Sequence, residues 1–88
     1  MSISVILFKS KSCAACSQVE PIYKSIVELY SDKIKSETID ITENLDAAIN
    51  NGVMTVPTVI FFKDGEEIKR LGGIISKEKL EETIKKIG

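Results

Sequence analysis

The only two cysteines of this 88-residue sequence stand two residues apart, in the stretch Lys11-Ser12-Cys13-Ala14-Ala15-Cys16-Ser17. Thiols at that spacing can cycle between dithiol and disulfide, supply half of a tetrahedral metal site, or staple the chain permanently. A staple gains little, because a bridge between residues i and i+3 closes too short a loop to restrict the unfolded chain much. Zinc asks for about four ligands, and the sequence has no histidine, so only a dimer pooling the cysteines of two chains would complete a site. Redox cycling is the reading these residues favour, and it calls for neither metal nor cofactor.

A redox pair needs one sulfur activated as a thiolate and a second within reach of it. Residues 3–8, ISVILF, are a nearly continuous apolar run with β-branched members, as in a strand covered on both faces. Val19, Ile22, Tyr23, Ile26, Val27 and Tyr30 then recur at helical spacing on one stripe, so a helix begins near Cys13. Cys13 therefore falls at the junction of strand and helix, where unpaired N–H groups and the helix dipole favour an anion. That placement can draw a thiol pKa from about 8.5 to roughly 3.5–7.5, and Lys9 and Lys11 are candidates to act in the same direction. Cys13 is the expected nucleophile. Cys16, one turn on, is the expected resolving thiol.

The remaining pattern completes a β-α-β-α-β-β-α order. Residues 34–41, IKSETIDI, suit an exposed edge strand; Leu45, Ala48 and Ile49 mark a short helix ending near Asn51-Gly52. In TVPTVIFFKDGEEIKRLGG, Val59 to Phe62 read as buried, Asp64-Gly65 as the tight turn of a hairpin, and the return strand as an edge. Gly72-Gly73 reads as close backbone approach or a bulge. Ser76 is a candidate N-cap for a last helix whose inner face carries Leu80, Ile84 and Ile87. The expected fold is α/β: a four-stranded mixed sheet flanked by three helices, in one domain spanning 1–88.

Composition bounds the partners. Hydrophobic residues make up 43% of the chain and charged residues 28%, with 12 basic against 13 acidic side chains and a net charge of −1. Such a balance carries no electrostatic footprint for nucleic acid or anionic membrane. The start, MSISVILFKSKSC, has no basic n-region and only a brief apolar run, so neither a secretory signal nor a membrane span is expected. The expected location is cytoplasmic, where a lone Cys-x-x-Cys serves transient chemistry rather than a permanent bridge.

VILFKSKSCAAC, then Pro21 within the helix, TVPT, FFKDGE and LGGIISKEKL together resemble the thioredoxin-fold oxidoreductases over nearly the whole chain. The resemblance implies a minimal thioredoxin fold lacking the extra N-terminal strand and helix of full-length thioredoxins. It implies thiol–disulfide exchange on protein disulfides, with a thioredoxin-reductase-type electron donor and a monomeric enzyme. It also implies that Pro57 is cis and faces the cysteines, and that the Val56 backbone pairs with a substrate strand. Ser12, Ala14, Ala15, Thr55, Gly72 and Gly73 complete the implied substrate contacts. The sequence departs from the thioredoxin pattern in three ways: Ser12 stands for tryptophan, Ala14-Ala15 for Gly-Pro, and Leu7 for a buried aspartate. A glutathione-dependent, glutaredoxin-like activity is the alternative, although Ile74-Ile75-Ser76 replace the acidic residue that would hold the glutathione amino group. A redox-inert binding module is a third reading, against which both cysteines argue.

Overall fold

Seven elements follow one another along residues 2–87, the part of the chain that the computed structural model describes. The two end residues of the expected 1–88 unit lie outside it. Strand β1 (Ile3–Lys9) leads into helix α1 (Ala14–Leu29), and β2 (Ile34–Asp40) into the short helix α2 (Leu45–Asn50). The hairpin of β3 (Thr58–Lys63) and β4 (Glu66–Gly72) precedes the last helix, α3 (Lys77–Ile87). The sheet order is β2-β1-β3-β4, with β1 parallel to β2 and the other pairs antiparallel. This is the expected four-stranded mixed sheet with both polar strands at its edges.

The apolar pattern explains the layering. On β1, Ile3, Val5 and Leu7 face the main core, joined by Val59 and Phe61 of β3 and by the α1 stripe of Val19, Tyr23, Ile26 and Val27. Leu80 and Ile84 of α3 close the same layer, while Ile22, Tyr30 and Ile87 pack at its margin. Side chains alternate across a strand, so Phe8 and Ile60 point to the opposite face, where both are also fully buried. A central strand buried on both sides loses its polar alternation, which is why β1 reads as a continuous apolar run.

Helix α2 behaves differently from its sequence pattern. Of the three residues that mark it, only Ala48 is buried; Leu45 and Ile49 are 61% and 64% exposed. A helix of six residues offers about one inward position, so its periodicity says little about burial. Asn44 caps it by accepting from the Ala47 N–H at 3.2 Å.

The turn between β3 and β4 takes the expected form, with Asp64 at φ 53° and Gly65 at φ 85°. The bulge considered for Gly72-Gly73 lies elsewhere in the hairpin. Phe61 is paired with Lys69 and Phe62 with Glu67, so Ile68 is the extra residue on β4. Ser76 caps α3, accepting from the Lys79 N–H at 3.1 Å. Glu78 in the first turn and Lys85 and Lys86 in the last complement the helix dipole. No helix among the described residues is long and apolar enough to cross a membrane.

Candidate active site

The strand-to-helix junction delivers both cysteines to one place. β1 is held centrally by neighbours on each side, so its C-terminal end is a fixed point from which residues 10–13 turn into α1. Cys13 is the N-cap, extended at φ −99° and ψ 109°, and its Sγ accepts from the Cys16 N–H at 3.1 Å. The sulfur thus occupies the position that a serine or aspartate oxygen takes at an ordinary N-cap. Its excess negative charge, when reduced, would sit on an unpaired N–H at the positive end of a 16-residue helix.

Cys13 and Cys16 are joined as a disulfide with their Cα atoms 5.2 Å apart. The two sulfurs are not equivalent in access. Cys13 is partly exposed and Cys16 is 2% exposed. Opposite them comes the loop between α2 and β3, whose Val56 carbonyl oxygen lies 3.7 Å from Cys13 Sγ. The Val56–Pro57 peptide is cis.

Two bonds secure that loop on its β3 side. Thr58 Oγ1 donates to the Thr55 carbonyl at 2.7 Å, and the Gly73 N–H donates to the Pro57 carbonyl at 3.1 Å. The two glycines have different reasons. Gly73 has a left-handed φ of 76°, which favours glycine, whereas a Cβ on Gly72 would meet only the Pro57 oxygen at an ordinary 4.0 Å. Ser12, Ala14 and Thr55 are exposed and Ala15 is half-buried, all within this strand-turn-helix and loop region.

Lys9 and Lys11 point to carboxylates. Lys9 Nζ lies 3.1 Å and 3.2 Å from the two oxygens of Glu20, and Lys11 Nζ lies 3.8 Å from Glu43. What either adds to the field at Cys13 is therefore the field of a paired charge. Both also line an open cleft of about 600 Å³ with Asp40, Glu43 and Asn44, which neither cysteine lines. Glu20 and Arg70 are two neighbours of the site that sequence reasoning missed. Glu20 lies four residues after Cys16 on α1, a spacing that could have drawn notice; Arg70 is the sole arginine of the chain. Leu7, the position of the family's buried aspartate, is fully buried in the apolar core. Among the described residues no group of three or more metal-ligating side chains gathers.

A paired dithiol at a helix N-cap, facing a main-chain carbonyl from a neighbouring loop, defines a thiol–disulfide oxidoreductase on an α/β sheet. Known proteins agree with that class. The Thioredoxin family model matches residues 1–86. A thioredoxin of Bacillus subtilis (strain 168) is 35% identical over 74 residues, covering 84% of this chain and 71% of that protein. One from Ophiophagus hannah is 38% identical over 82 residues, covering 93% and 76%. The X-ray structure of Fasciola hepatica thioredoxin superposes with a TM-score of 0.87 at 28% identity, covering 97% of this chain and 80% of that one. The chain belongs to the thioredoxin family, and its Cys13–Cys16 pair makes it a protein-disulfide reductase.

Proposed function

We propose that Cys13 is the attacking thiolate and Cys16 the resolving thiol in the reduction of disulfides on partner proteins. The unequal access of the two sulfurs carries this assignment. A partner disulfide can reach the partly exposed Cys13, while the buried Cys16 can reach only Cys13. In the first step the Cys13 thiolate bonds to one partner sulfur and the other partner sulfur leaves as a thiolate. In the second, deprotonated Cys16 attacks Cys13, the mixed disulfide breaks, and the partner departs with two thiols after taking up protons. Two electrons have passed, and Cys13–Cys16 is left oxidised.

Val56 supplies the main-chain edge along which the partner backbone lies, with Ser12, Ala14, Ala15, Thr55, Pro57, Gly72 and Gly73 around it. Recharging comes from a thioredoxin-reductase-type donor. The protein works as a monomer in the reducing cytoplasm, where a dithiol reductant is kept charged. Lys9 and Lys11 add a minor positive field to the Cys13 thiolate through their paired ammonium groups.

The test is the equilibrium potential of the couple, read by alkylation and mass shift in dithiol buffers of graded ratio. A two-electron couple near −270 mV, about that of thioredoxin, is expected. A value of roughly −200 to −230 mV would mark glutathione-linked exchange instead. A protein with no reversible couple would be a binding module or a metal-bridged dimer.

A further inference from the structure

At its α2 end, the loop that faces Cys13 is tied to the sheet by a side chain that touches neither sulfur. Arg70 on β4 donates through Nη2 to the Asn51 carbonyl at 2.6 Å and through Nη1 to the Gly52 carbonyl at 3.0 Å. Those carbonyls stand at the C-terminal end of α2, where a helix leaves its last oxygens without partners. The same guanidinium is held from below by Glu67, through Nε at 2.9 Å and Nη2 at 2.8 Å.

The bulge in β4 makes that clasp possible. Residues three apart on a regular strand point to opposite faces. Because Ile68 is the extra residue, Arg70 pairs with Ile60 and Glu67 with Phe62. Ile60 and Phe62 are two apart, so Glu67 and Arg70 share one face of the sheet. It is the face on which α2 ends.

On its α2 side the loop is otherwise held by short-range bonds within the helix end, the Asn51 N–H and Nδ2 donating to the Ala47 carbonyl and the Gly52 N–H to the Ile49 carbonyl, none of which reaches the sheet. Ala48 is the only buried residue of that helix. Beyond it, the Val53 N–H donates to the Ala48 carbonyl at 2.8 Å, and the bonds of Thr55 and Pro57 secure the far end. Between these fixed points lies Met54, 93% exposed. Only three residues separate Gly52 from Val56, four steps along the chain and about 14 Å even fully extended, so where Arg70 pins Gly52 limits where Val56 can lie.

Arg70 differs here from the other ion pairs. Lys24–Glu20 and Lys86–Glu82 join neighbouring turns of one helix, and Lys11–Glu43 is an open contact at 3.8 Å. Exposed pairs contribute little by charge alone, and Arg70–Glu67 is exposed too; what sets it apart is its geometry. A planar fork that addresses two carbonyls and a carboxylate together sets a geometry, and a lysine cannot reproduce it.

We propose that Arg70 is a positioning residue for disulfide exchange, holding the α2–β3 loop so that the Val56 main chain presents a partner protein's backbone to Cys13. This rests on the reading of Val56 as the substrate edge. The consequence is selective. A protein disulfide, which needs that edge, depends on Arg70, while a small disulfide, which needs only the sulfur, does not.

The experiment compares the full-length wild type with Arg70→Gln and Arg70→Lys, using insulin and cystamine as disulfide probes and dithiothreitol as reductant. For Arg70→Gln, kcat/KM on insulin is expected to fall about tenfold, chiefly through KM, with cystamine reduction within about twofold of wild type. Amide exchange at Val53, Met54, Thr55 and Val56 is expected to accelerate. Arg70→Lys should restore part of the insulin rate. Equal losses on both probes would overturn the proposal, since they would indicate damage to the fold; so would unchanged insulin kinetics with unchanged exchange. Should Arg70→Gln not fold, Glu67→Gln, which leaves the arginine unaimed, carries the same readouts. A wild type that reduces cystamine but not insulin would refute the substrate-edge reading, and amide exchange would still decide whether Arg70 holds the loop.

Discussion

Cys13 and Cys16 differ by one helical turn, and that turn separates their roles. The N-cap position leaves Cys13 at the surface with its sulfur on the Cys16 N–H at 3.1 Å, while Cys16 is already inside the molecule. Cys13→Ser is expected to abolish insulin reduction, and Cys16→Ser to accumulate a mixed disulfide visible as a mass increase under non-reducing conditions. Trapping by Cys13→Ser instead would reverse the assignment. Tyr23 illustrates a residue whose polar end matters as much as its ring. Its buried hydroxyl donates to the Glu37 carbonyl at 2.7 Å, has the Val5 carbonyl at 3.1 Å, and accepts from the Glu37 N–H at 3.3 Å. Burial pushes its ionisation well above the ordinary phenol range. Tyr23→Phe keeps the packing and orphans those backbone groups, so urea unfolding should show a loss of about 1–3 kcal/mol.

At the scale of elements, the junction of β1 with α1 is braced by an ion pair in addition to the burial of Leu7, Phe8, Cys16 and Val19. Lys9 near the strand end and Glu20 in the second turn of α1 keep only 27% and 22% of their side chains exposed. Lys9 chiefly, and Lys24 after it, hold the Glu20 carboxyl below its ordinary 4.5 against the opposing effect of burial. The folded-state pKa is depressed, so the stabilisation is present above the unfolded value and is lost as pH falls through the folded one. Wild type should therefore lose more stability than Glu20→Gln between about pH 7 and pH 3.5, read as the shift in urea midpoint. Equal shifts in the two proteins would remove Glu20 from the brace. The bulge at Ile68 belongs to the same scale, because it turns an edge strand into a support for the loop opposite Cys13.

Over the whole molecule, stability rests mainly on the layer in which α1 and α3 cover one face of β1 and β3, with Phe8 and Ile60 buried on the other. A domain of this size has little stability in reserve. Leu80 is fully buried at the meeting of α3 with that layer. Leu80→Ala is expected to cost about 2–5 kcal/mol through lost contacts and the cavity left behind, measured as a lower midpoint of denaturation. The ion pairs, by contrast, are mostly exposed, and raising salt should change stability little. Helix α1, packed on β1 and beside α3, holds its N-cap against this core, while the facing loop rests on Arg70, Thr58 and Gly73.

The order of elements, the central and edge strands, the cysteine pair at the junction of strand and helix, and the cap at Ser76 could all be read from the chain alone. Each is set by local chemistry or by a period of two or 3.6 residues, which a sequence displays directly. Tertiary structure alone decided that Leu45 and Ile49 face solvent, that the bulge falls at Ile68, and that Lys9 is taken by Glu20. It also set the Val56 carbonyl 3.7 Å from Cys13, and Arg70 on carbonyls 18 and 19 residues away. These contacts join segments distant along the chain, and their partners are main-chain atoms that every residue carries, so no residue type announces them.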